Sequence, residues 1–91
     1  MSIQENIHNF YEKLVGEALA EQLKDTAIDI DDMSDIACIA LNRLPPRYYR
    51  HEIDMAFYLS PTEYKEMTDK VSLAVKEAID YVDQSQREER D

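Results

Sequence analysis

The chain has one glycine, one cysteine and no tryptophan in its 91 residues. A single glycine leaves no material for a phosphate-cradling loop, because the P-loop and dinucleotide fingerprints each need at least two. Cys38 has no second cysteine to pair with, and His8 and His51 stand apart from it, so neither an internal disulfide nor a structural zinc site is expected. Basic residues are scarce: 10 Lys and Arg stand against 20 Asp and Glu, for a net charge of −10. That balance repels nucleic-acid phosphates and anionic lipid surfaces, so DNA, RNA and membranes are not expected partners. No apolar run approaches the roughly 18 residues that a membrane span requires. The opening MSIQENIHNF lacks a basic region followed by an apolar stretch, so no secretory leader is expected. A cytoplasmic protein is the expectation, and an unpaired cysteine suits a reducing compartment.

Catalysis is not expected. A hydrolytic triad needs a nucleophile, a base and an orienting acid within reach of one another. The serines at 34, 60, 72 and 85 and the two histidines show no such grouping in the sequence. Four aspartates in residues 25–32, DTAIDIDD, superficially resemble a calcium loop, but the turn glycine and the closing Glu of that motif are missing. Their expected role is to cap a helix and favour the positive end of its dipole. No cofactor is expected.

The length fits one domain, assigned to residues 1–84, with a disordered polar tail at 85–91. So short a chain buries a modest share of its surface, and oligomerisation is one remedy. The fold class expected is mainly α, with three helices at about 3–24, 33–44 and 61–83. Ser2 and Glu5 form a capping-box pattern ahead of an apolar stripe through Ile7, Phe10, Leu14 and Leu19. Gly16 falls inside that helix, read as a close crossing or as simple tolerance. Asp32 is the expected N-cap of the second helix, whose Ile36–Ala37–Cys38–Ile39–Ala40–Leu41 run is apolar nearly all round and predicts burial on most sides, Cys38 included. Ser60–Pro61–Thr62–Glu63 predicts a firm start for the third. Residues 52–59, EIDMAFYL, alternate apolar and polar, which reads as one short strand without an obvious partner.

Residues 36–51, IACIALNRLPPRYYRH, differ from the rest of the chain. They hold the only double proline and no Asp or Glu. Pro45 and Pro46 must end the second helix and force an extended connection. Arg43, Arg47, Arg50 and His51 flank Tyr48 and Tyr49. Guanidinium forks match phosphate oxygens, and tyrosine rings stack on flat bases. The same arginines can pair with the chain's many carboxylates. The residues alone favour that pairing and leave a ligand site as the alternative.

The run ALNRLPPRY, residues 40–48, resembles the signature of the late-competence ComFB family. The resemblance reaches from YEKLV at 11–15, through Asp35–Ile36–Ala37, to the VSLAVKEAIDYV ending of the last helix. It implies a small helical bacterial domain that forms homodimers and regulates without catalysing. It also implies, for some members, a receptor for cyclic dinucleotides such as cyclic di-GMP or cyclic di-AMP. Other members carry a zinc-binding cysteine cluster ahead of the motif. Here that region reads TAIDIDDMSDIAC, so zinc is not carried over. On this resemblance the candidate ligand-binding residues are Arg43, Arg47, Tyr48 and Arg50, with Asn42 or Asp35 to read a guanine edge. A two-fold dimer would present them twice, matching the ligand's symmetry. The alternative is a dimeric adaptor that binds another protein, with the proline segment purely structural.

Overall fold

Residue spacing along α1 (Phe10–Gln22) explains its placement. Phe10, Tyr11, Leu14, Val15 and Leu19 fall on one face and are buried. A computed structural model describes residues 2–90 of the chain. The helix begins seven residues later than the capping box at Ser2 predicts. Ser2 makes no side-chain cap bond, and Ile3–Glu5 forms only a 3₁₀ turn. Ile3 meets no core and stays exposed. Residues His8–Asn9 instead form a strand, β1, and Asn9 caps the helix with its side-chain oxygen accepting from the Tyr11 amide. Pairing with a strand further along the chain gives the backbone groups of these two residues partners outside the helix.

The second helix, α2 (Ile30–Asn42), starts three residues before its expected start at Met33. Asp29, not Asp32, is the N-cap, and its Oδ1 accepts from the Asp32 amide at 2.8 Å. Asp31 and Asp32 then sit in the first turn, where the dipole favours them. At the other end Arg43 is the C-cap, its amide donating to the Ala40 and Leu41 carbonyls ahead of the prolines. Burial along α2 is narrower than its apolar run predicts. Ile36 and Ala40 are buried, whereas Cys38 is exposed. Two neighbouring helices cover only one side of α2 and leave the other open.

Residues Glu52–Tyr58 form a helix, α3, rather than a strand. An isolated strand leaves its amides without partners, whereas a helix satisfies them internally. Glu52 and Asp54 in the first turn also suit the dipole. The chain does have a strand nearby: β2, Tyr48–Tyr49, pairs antiparallel with β1. The last helix, α4 (Pro61–Arg90), starts at the expected place, with Ser60 Oγ accepting from the Glu63 amide at 3.1 Å. It runs past the expected end at 83, so residues 85–90 are helical where a disordered tail was expected, and position 91 lies outside the described residues. An Arg87–Asp83 pair at 3.1 Å supports these turns.

The architecture is mainly α, as expected. Helix α4 packs on both α1 and α2, which also touch each other. The core joins Leu14 and Val15, Ile36 and Ala40, and Val71, Val75 and Ala78. Fully buried alanines at 40 and 78 permit close approach of the helices that carry them. Gly16 plays no part in a crossing, because a Cβ there meets nothing within 4 Å. Gly16→Ala is therefore expected to stabilise the protein by about 0.5–1 kcal/mol. A thermal melt with an unchanged or lower midpoint would contradict that open site.

Candidate functional site

The segment after Pro45–Pro46 is held by the start of α1. His8 pairs with Tyr49 and Asn9 with Tyr48. The Phe10 amide donates to the Arg47 carbonyl at 2.7 Å. The Arg47 amide donates to Asn9 Oδ1 at 2.9 Å, and the same oxygen accepts from Tyr11 N at 3.2 Å. One side chain thus caps a helix and fixes the turn into β2. Sequence reasoning missed Asn9. Its signal was present, since Asn directly precedes the apolar run Phe10–Tyr11, but the capping box at Ser2 drew the helix start upstream.

Strand alternation sorts the tyrosines. Tyr49 turns inward, edge-on to Phe10 with ring centroids 5.8 Å apart, and also meets His8 at 5.6 Å. Tyr48 turns outward and is 62% exposed. Arg47 lines a cleft of about 280 Å³ with Tyr11, Pro45, Pro46, Glu63 and Met67.

The three arginines are not alike. Arg43 Nη1 donates to Glu77 Oε2 at 2.8 Å, tying the end of α2 to α4. Both side chains are about half exposed, so the pair contributes at most about 1 kcal/mol. Among the described residues, neither the Arg47 nor the Arg50 guanidinium has a hydrogen-bond or ion-pair partner. Both are exposed. In a chain with 20 acids, two unpaired arginines flanking an exposed tyrosine are a notable remainder.

The family model of the late competence development protein ComFB matches residues 8–86. The chain belongs to the ComFB family. A match of this extent takes in β1, α1, α2, α3, the proline segment and most of α4, so the pairing of His8–Asn9 with Tyr48–Tyr49 lies inside the family domain. Comparisons with curated proteins and with solved structures find no match. Membership supports a competence-related regulatory protein.

Within this ComFB domain the remaining candidates are dispersed. Asn42 is exposed at the last turn of α2, one residue before Arg43. Asp35 sits two turns further back and lines a different cleft with Asp32, Cys38, Ile39 and Tyr81. The fold therefore groups Arg47, Tyr48 and Arg50 on one connection, keeps Arg43 and Asn42 at its upstream end, and leaves Asp35 apart. Among the described residues no group of three His, Cys, Asp or Glu side chains could hold a metal ion. None of the helices described is long and apolar enough to cross a membrane.

Proposed function

We propose that this ComFB-family protein is a non-catalytic, homodimeric regulator that binds a cyclic dinucleotide, cyclic di-GMP or cyclic di-AMP, through the segment at residues 42–50. The observation that carries this reading is the unpaired state of Arg47 and Arg50 around outward-facing Tyr48. Two guanidinium groups can take phosphate oxygens in bidentate fashion, and an exposed ring offers a stacking surface for a purine. A backbone tied to β1 and Asn9 by hydrogen bonds lowers the ordering cost of binding. The chain's −10 charge disfavours polynucleotides, yet a local cationic spot still suits a small dianion. Arg43 supports the competing view of the segment as structural, because its partner is the Glu77 carboxylate. The ligand reading therefore rests on Arg47, Tyr48 and Arg50 before Arg43, Asn42 or Asp35.

Isothermal titration with each cyclic dinucleotide tests the proposal, and no heat at high micromolar ligand would sink it. Arg47→Ala is expected to weaken binding by about 10- to 100-fold, the worth of charge-assisted hydrogen bonds. Its melting temperature should hold, since Arg47 contributes only backbone groups to the fold. Unchanged affinity with a lowered midpoint would instead make Arg47 a structural residue.

A further inference from the structure

We propose that Glu77 occupies, in the free protein, the place on Arg43 that a ligand phosphate takes, and so sets the affinity of the site. The proposal rests on the ligand reading of residues 42–50 above. Among the described residues, Arg43 is the one arginine of that segment with an ion-pair partner. The contact is a single bond, Nη1 donating to Glu77 Oε2 at 2.8 Å. A guanidinium has five N–H donors and fits two oxygens of a phosphate side by side. The Glu77 bond uses one of the five. Its side chains are 43% and 50% exposed, so water reaches both. A pair of that exposure is worth at most about a fivefold factor in an equilibrium. A bidentate phosphate outweighs it.

The backbone lets this exchange occur without unfolding. The Arg43 amide is held by the Ala40 and Leu41 carbonyls, and Pro45–Pro46 stiffen the chain beyond it. Only the side chain has to turn. Exchange brings Arg43 to the same connection as Arg47, since the four-residue step between them spans at most about 14 Å.

Helix α4 runs alongside that step. Glu63, Glu66 and Lys70 line the Arg47 cleft, and Glu77 holds Arg43. Glu77 follows Lys70 by about 10 Å along the helix axis, and these four residues share an arc of about 60° on α4. One face of α4 thus sets three carboxylates against the arginine segment. Among the described residues Glu63 and Glu66 make no ion pair with Arg47. Glu77 alone is bound to an arginine of the segment, so it is the carboxylate that an incoming phosphate displaces.

Isothermal titration with cyclic di-GMP and with cyclic di-AMP is the test, on the full chain as wild type, Glu77→Gln, Arg43→Ala and the double variant. Glutamine keeps the size of the side chain and removes its charge. Glu77→Gln is expected to tighten binding about three- to fivefold. Arg43→Ala is expected to weaken binding by up to about tenfold. In the Arg43→Ala background, Glu77→Gln should change nothing. An equal gain in both backgrounds would trace to the general loss of negative charge and overturn the displacement. Glu77→Gln binding no tighter than wild type would overturn it too. If neither wild type nor Glu77→Gln binds either nucleotide, the ligand reading itself falls, and this proposal with it. Nuclear magnetic resonance of the wild type gives a reading independent of mutation. The Arg43 Nε–H signal should move when nucleotide is added, and an unmoved signal at saturating nucleotide overturns the exchange of partners.

Discussion

Ile36→Ala is expected to destabilise the protein by about 2–5 kcal/mol, the range for truncating a large buried aliphatic residue. Ile36 is 2% exposed and is one of the largest fully enclosed side chains. It belongs to the same core as Val15, Val71 and Val75, in the packing of α2 against α1 and α4. Removing three methyl or methylene carbons there leaves a void that rigid helices close only in part. Small domains have roughly 5–15 kcal/mol of total stability. The loss is therefore a large fraction of the whole, worth on the order of 10 °C or more in melting midpoint. Thermal melts at one fixed protein concentration measure it, since association would make the midpoint depend on concentration. Truncation at Ile39, which is only partly buried, should cost clearly less. Equal losses at the two positions would mean that α2 does not seat on the core through Ile36.

Asn9→Ala is expected to cost about 1–2 kcal/mol, toward the upper end for a lost N-cap. The reason is that one oxygen serves two amides, those of Tyr11 and Arg47. Alanine removes that one acceptor and leaves both amides without it. Asn9→Asp retains an acceptor oxygen and adds a charge that the α1 dipole favours, so it should recover most of the stability. Comparing the two variants by thermal melting separates a capping role from simple tolerance of any small residue. If Ala and Asp melt together, the double acceptor contributes nothing. The segment proposed to bind ligand also depends on this contact, because Asn9 fixes the backbone on which Arg47 and Tyr48 stand.

Some local signals in the sequence held, whereas the capping box at Ser2 and the expected N-cap at Asp32 did not. The core stripe of α1, the cap at Ser60 and the stop at Pro45–Pro46 each depend on neighbours within a few residues, and all three stand in the structure. Features that need distant partners were not legible. The β1–β2 pairing involves two residues on each side, separated by about forty positions, too short to show a period. Residues 52–58 fill fewer than two helical turns, so Ile53, Met55 and Phe57 alternate as they would on a strand. Only the lack of a partner strand decides in favour of helix. At the candidate site the three arginines could be read directly. Which of them meets a carboxylate could not, because Glu77 lies 34 residues beyond Arg43 and was one of 20 acids. The exposure of Cys38 escaped for a related reason: an apolar run records composition, whereas burial depends on how many neighbours the fold supplies.

The short β1–β2 ladder has an effect on what this segment tolerates. A strand repeats every two residues, and here that parity sends Tyr49 toward Phe10 and Tyr48 toward solvent. The prolines set one end of the count and Asn9 the other. One extra residue between Pro46 and Tyr48 would exchange the two rings, moving the exposed ring inward and the core ring outward. The connection therefore works as a ruler. Its length is constrained more tightly than the identity of most of its side chains, and a deletion or insertion there should do more harm than many substitutions.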